Sequence, residues 1–130
     1  MDVANVEAMA ATAAAFDPDV DELKMAGLTA VPGVTIPCPR IAEAPVAFEC
    51  RRHVSIAVSG AREIILGRIE MAHVREDIID IETYYSDSAR LDAIGRMGGD
   101  GYSMTREVFD LPTPSVEDVM SGGQKKPSIK

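Results

Sequence analysis

The chain has 130 residues, 46% of them hydrophobic and 26% charged, with 13 Lys plus Arg against 21 Asp plus Glu and a formal net charge of −8. That length and apolar content fit one globular domain and exclude wholesale disorder. The negative balance repels phosphate backbones and anionic bilayers, so neither nucleic acid nor membrane is expected as a partner.

Residues 3–15, VANVEAMAATAAA, are Ala-rich and free of Gly and Pro, which predicts a helix. Asp17-Pro18 ends it, because the residue before Pro is steered away from helical geometry. Asp21 to Ala26 predicts a second, short helix stopped by Gly27. Residues 31–45 contain Pro32, Pro37, Pro39 and Pro45, a density that excludes a regular helix or central strand.

Val46–Val58 and Arg62–Arg75 both alternate apolar and polar residues, and Ser59-Gly60-Ala61 joins them, so a long antiparallel hairpin is expected. The alternation places Val46, Phe48, Cys50, Val54, Ile56 and Val58 on one face of the first strand. On the second it groups Ile65, Gly67, Ile69, Met71 and His73. Arg52 interrupts the first stripe, and a bulge near Arg51-Arg52-His53 turns it outward. Residues 77–85, DIIDIETYY, read as a short continuing strand. Ala89–Met97 reads as a helical turn before the loop Gly98-Gly99-Asp100-Gly101, and Tyr102–Leu111 as a last strand. From Pro112 the composition is that of a disordered tail. Residues 1–111 therefore form the domain and 112–130 the tail.

Cys38 and Cys50 are the two cysteines, and His53 and His73 the two histidines. No pattern of zinc-ligand spacing is present, so no metal is expected. A Cys38–Cys50 disulfide stays open, but Cys50 lies in an apolar run and is expected as a buried, reduced thiol. Asp77, Asp80 and Glu82 lack the spacing of a calcium loop and read as a solvated cluster. Met97 and Met104 read as core fillers. The acidic N-terminus is unlike a signal peptide, and no apolar run approaches the roughly 20 residues of a membrane span, so the cytoplasm is the expected compartment.

The order of segments from Met9 to Leu111 resembles the flavin reductase-like family. Four stretches carry the resemblance: MAATAAAFDPDVDELKMAGLT (Met9 to Thr29), RIAEAPVAFECR (Arg40 to Arg51), IILGRIEMAHVRED (Ile64 to Asp77) and LDAIGRMGGDGYSMTREVFDLPTP (Leu91 to Pro114). It implies a mainly β fold with short helices (α+β), an incomplete FMN-binding split β-barrel whose opening strands are absent. It also implies FMN as cofactor, NADH or NADPH as co-substrate, hydride transfer from the nicotinamide to the flavin, and a homodimer.

By the same resemblance, Thr12, Arg96, Gly98, Gly99 and Tyr102 are the candidate cofactor-binding residues. Ala10 and Ala13 stand where the family carries Asn and Ser beside the threonine, so two hydrogen-bonding groups have become methyls. A Gly-Gly turn lets backbone N–H groups approach an anion, Arg supplies a planar charged fork and Tyr a stacking ring. His73 matches the histidine of the family's "VHV" strand and is read as structural. No catalytic acid, base or nucleophile is assigned, in keeping with chemistry carried by a cofactor. The competing expectation is a truncated, non-catalytic remnant or a partner-dependent half-barrel that no longer binds FMN.

Overall fold

Two long strands dominate the structure, a computed structural model that describes residues 1–123 and 126–129. β3 (Val46–Ser59) and β4 (Arg62–Val74) pair antiparallel through the predicted turn. Around their base lie α1 (Val6–Ala11), α2 (Glu22–Met25) and the two-residue strands β1 (Ala30–Val31) and β2 (Arg40–Ile41), which pair with each other. α3 (Ser88–Leu91), β5 (Ile94–Arg96) and β6 (Tyr102–Met104) follow, β5 pairing with β6. β7 (Phe109–Asp110), α4 (Val116–Met120) and β8 (Ser128–Ile129) complete the order, β7 pairing with β8. The fold is mainly strand with short helices, and its two-stranded sheets do not close into a barrel.

The first predicted helix divides into a 3-10 turn (Val3–Asn5) and α1, which stops at Thr12. Beyond it Ala13 and Ala14 donate to the carbonyls three residues back, the tighter bonding of a fraying end. The N-terminus is tied to the later chain: Val3 N–H donates to Asp92 O and Ile94 N–H to Met1 O. α2 ends at the predicted stop, with Gly27 at φ +70°.

The hairpin bulge falls just after Arg52, and it does not turn Arg52 away as expected: Arg52 stays on the face of Cys50, Gly67 and Ile69, and the residues beyond it change sides. Arg52 pairs with Gly67 and Val54 with Leu66, so His53 is the extra residue. A second irregularity leaves out Glu70, since Cys50 pairs with Ile69 and Glu49 with Met71. One inserted residue reverses the facing of all that follow. Phe48 and Cys50 therefore share a face with Ile65, Gly67 and Ile69, whereas Val54, Ile56, Ile64 and Leu66 occupy the opposite face. Met71 and His73 lie with Glu49, away from Ile69. The single apolar stripe expected on each strand is thus split over both faces.

Other expectations are corrected as well. Residues 77–85 are not a strand. A 3-10 turn (Glu76–Ile78) leads to a tight turn in which Asp80 Oδ1 accepts from Glu82 N–H (2.8 Å), and Tyr84 sits at φ +59°. The local Asp side-chain bond outcompetes a strand ladder. Residues 89–97 hold α3 followed by β5 rather than one helical turn, and the last strand is broken into β6 and β7. Cys50 is a free thiol but exposed, as is Cys38, and Met97 and Met104 are exposed rather than core. The common cause is the hairpin and closing loop lying open to solvent. Among the described residues the buried set is small: Asp2, Pro45, Glu49 and Ile78.

In residues 112–130, expected as a tail, α4 is closed by a capping box. Ser115 Oγ accepts from Asp118 N–H (3.1 Å), while Asp118 Oδ2 accepts from Ser115 N–H (3.0 Å). Residues 124, 125 and 130 of that stretch lie outside the described residues.

Candidate functional site

The closing loop organises itself around one guanidinium. β5 and β6 hold Arg96 directly opposite Tyr102. Arg96 Nη1 donates to Tyr102 Oη (2.9 Å) and Nη2 to Gly99 O (2.8 Å), with the guanidinium carbon 5.4 Å from the Tyr102 ring centroid. Two hydrogen bonds and a cation–π contact fix the ring beside the turn. Gly101 N–H donates to Gly98 O and Met97 N–H to Gly101 O, which closes the turn. Gly99 takes φ +55°, a geometry glycine adopts without a side-chain penalty. The N–H groups of Gly98, Gly99 and Asp100 meet no acceptor among the described residues. A Cβ on Gly98 or Gly99 would meet nothing within 4 Å, so the surface beside the turn is open.

Four of the five sequence-derived candidates, Arg96, Gly98, Gly99 and Tyr102, therefore come together. Thr12 does not join them by any hydrogen bond: its hydroxyl donates to Met9 O (2.8 Å) at the end of α1. Successive unpaired N–H groups beside an immobilised aromatic ring suit an electron-rich edge of a flat, polar molecule. The closing loop thus fits one edge of a flavin. The Thr12 segment, with Ala10 and Ala13 on either side, offers no comparable set of donors.

A second constellation escaped the sequence reading. Glu49 is 2% exposed, and its carboxylate gathers five donors. These are the N–H groups of Val34 (2.7 Å), Thr35 (2.6 Å) and Ile36 (3.2 Å), the Thr35 hydroxyl (2.6 Å), and His73 Nε2 at 2.6 Å. The Thr35 hydroxyl first, then the Val34 N–H, hold the carboxyl far below the usual carboxylate range, against the opposing effect of burial. Arg51 adds a bond to Thr35 O (3.3 Å), so the proline-rich loop is strapped across the hairpin base. His73 is accordingly part of this clamp. An isolated Glu inside an apolar strand was the available signal, but linking it to His73 required the Glu70 irregularity, which composition does not reveal.

The acidic cluster is spent on turns and ion pairs. Asp77 pairs with Arg75 (2.5 Å), which lowers its pKa, and Asp80 is lowered by the N–H of Glu82. Among the described residues no three His, Cys, Asp or Glu side chains are grouped to hold a metal ion, and no helix is long and apolar enough to cross a membrane.

Comparison with known proteins places the chain. A model of the flavin reductase like domain matches residues 1–91, which ends before the closing loop. An uncharacterized protein of Deinococcus radiodurans is 40% identical over 74% of this chain and 43% of its own length. The crystal structure of Pseudomonas fluorescens 2-nitrobenzoate 2-nitroreductase superposes with a TM-score of 0.78 at 31% identity, covering 89% of this chain and 57% of that one. A Shewanella frigidimarina structure described as having a split barrel domain superposes with a TM-score of 0.77 at 19% identity, over 88% of this chain and 58% of that one, which shows the fold alone. The chain spans about half the length of the relatives it matches.

Proposed function

The chain belongs to the flavin reductase-like family, a family of flavin-associated oxidoreductases, and from that premise we propose that it binds FMN and serves hydride transfer from NADH or NADPH to the flavin. The observation that carries this reading is the closing loop: Arg96 pins Tyr102 and Gly99 while the N–H groups of Gly98, Gly99 and Asp100 meet no acceptor among the described residues. FMN supplies the hydride-accepting chemistry when bound. In this reading Tyr102 stacks along the isoalloxazine, the N–H groups of the glycine turn orient its polar edge, and Arg96 keeps both in place. Thr12 contributes a hydroxyl oxygen at the end of α1, free to accept a bond while its proton is held by Met9 O. The working unit is cytoplasmic and homodimeric, with sites near the subunit interface. FMN titration followed by flavin fluorescence, together with the melting midpoint, tests the reading, since a ligand that binds only the folded form raises its stability.

A second reading has its own support: a non-catalytic remnant or partner-dependent half-barrel. The chain spans about half of its relatives, and its hairpin leaves Ile56, Ile64 and Leu66 exposed on one face. The two readings part on flavin binding by the 130-residue chain.

A further inference from the structure

Among the described residues, Arg40 Nε is the only buried side-chain nitrogen or oxygen that meets no hydrogen-bond partner. The Arg40 guanidinium forms no ion pair among them either. A shielded donor on a permanently charged group is costly unless something meets it. The short β1–β2 ladder fixes the residue, since Arg40 pairs with Val31. From there it lines a cleft of about 460 Å³, together with the turn through Pro45 and the end of β4.

The other charged groups on this lining are engaged elsewhere. Glu43 accepts from Thr29 N–H through both carboxylate oxygens (3.0 and 3.1 Å). Arg75 pairs with Asp77 and donates to Arg90 O, and His73 Nε2 is held by Glu49. The rest of the lining is alanine, proline and valine. The cleft therefore sets one unmet cationic fork beside an aliphatic wall.

We propose that this cleft binds the oxyanion of a small organic acid, a carboxylate or a phosphate ester, with the Arg40 guanidinium as the recognising group. It shares no residue with the closing loop, and the inference rests neither on family membership nor on flavin binding. A guanidinium presents parallel N–H donors that match two oxygens of a carboxylate or phosphate. On binding, the guanidinium turns to present Nε and one Nη to the cleft. Such a ligand meets the Nε proton and balances the charge together, whereas water meets only the proton. The cleft is larger than a bare ion needs and lies in the size range of small-molecule sites, so the aliphatic wall is left for the carbon chain of the acid.

Proton–nitrogen NMR correlation tests the proposal on the chain without flavin, with the Arg40 Nε–H signal assigned through its own backbone. Butyrate and butyl phosphate are the probes, and butyramide is the uncharged control. The expected result is a saturable shift of the Arg40 Nε–H signal with at least one acid and none with butyramide. Arg40→Lys should bind that acid at least ~10-fold more weakly, the scale of one charge-assisted hydrogen bond. The tighter of the two acids identifies the source as a carboxylate or a phosphate ester. An Nε–H signal unmoved by both acids overturns the proposal, and the parent chain alone gives that result where Arg40→Lys does not fold. Butyramide binding as tightly as the acids overturns it too, leaving only an apolar cleft. Displacement of the acids by FMN assigns the cleft to the flavin phosphate and overturns it as a separate site.

Discussion

Gly33 is the position where one added carbon probes the Glu49 clamp most sharply. A Cβ there would lie 2.5 Å from Ile36 O, 2.6 Å from Cys38 O and 3.4 Å from the Glu49 carboxyl carbon. The first two distances fall nearly 1 Å inside ordinary contact, and both atoms are backbone, so no rotamer change relieves them. Gly33 is not among the positive-φ glycines, so Gly33→Ala adds no dihedral penalty and isolates the steric effect. Overpacking costs about 1–3 kcal/mol, and two backbone clashes place this substitution near ~3 kcal/mol. At roughly 2–8 °C per kcal/mol for domains of this size range, the midpoint should fall by about 6–24 °C. Thermal melting followed by circular dichroism reads the shift. Gly60→Ala is the control, since a Cβ there meets nothing within 4 Å, and its melt should stay close to that of the parent. A Gly33→Ala midpoint indistinguishable from that of Gly60→Ala would refute the reasoning, because the loop would then not be strapped over the hairpin base.

The clamp also has a pH signature. Glu49 has a lowered folded pKa, so its contribution is fully present above the unfolded glutamate value of about 4.3 and is lost as pH falls toward the folded value. The difference in midpoint between the parent and Glu49→Gln should be largest near pH 7 and shrink toward pH 3; a gap independent of pH would show that the carboxylate charge is not what the loop recognises. In the closing loop, Gly99→Val should weaken FMN binding at least ~10-fold while the melt shows only the modest cost of a side chain at positive φ, about 1–2 kcal/mol. Equal loss of folding and binding would mark the turn as purely structural. Arg96→Lys keeps the charge but cannot donate to Tyr102 Oη and Gly99 O in one plane; FMN affinity should drop several-fold in titration, and unchanged affinity would remove Arg96 from the site. Thr12→Val should weaken binding less than Gly99→Val, and the reverse order would move the centre of the site to α1.

Much of the fold is written in local pattern. The hairpin, its connecting turn, the disruption near Arg52 and the stop at Gly27 follow from alternation, glycine and an intruding charge, all readable over a few residues. The facing of the side chains is different in kind. A residue left out of the ladder at His53 and another at Glu70 each reverse the facing, so a continuous stripe in sequence becomes two half-stripes in space. Residues 77–85 misled for a related reason: their apolar content suits a strand, but Asp80 captures the local N–H groups first. Arg96, Gly98, Gly99 and Tyr102 were legible because they sit within seven residues of one another on a single turn. Glu49 was not, because its donors come from residues 34–36 and 73, brought together only by the loop crossing and the irregular register.

The central claim, that this chain is a flavin-binding member of its family, is tested most directly by titrating the purified 130-residue chain with FMN while following flavin fluorescence and the melting midpoint. Saturable quenching with a midpoint that rises as FMN is added is the predicted result. A chain that melts cooperatively yet leaves FMN fluorescence and its own midpoint unchanged at high FMN would contradict it.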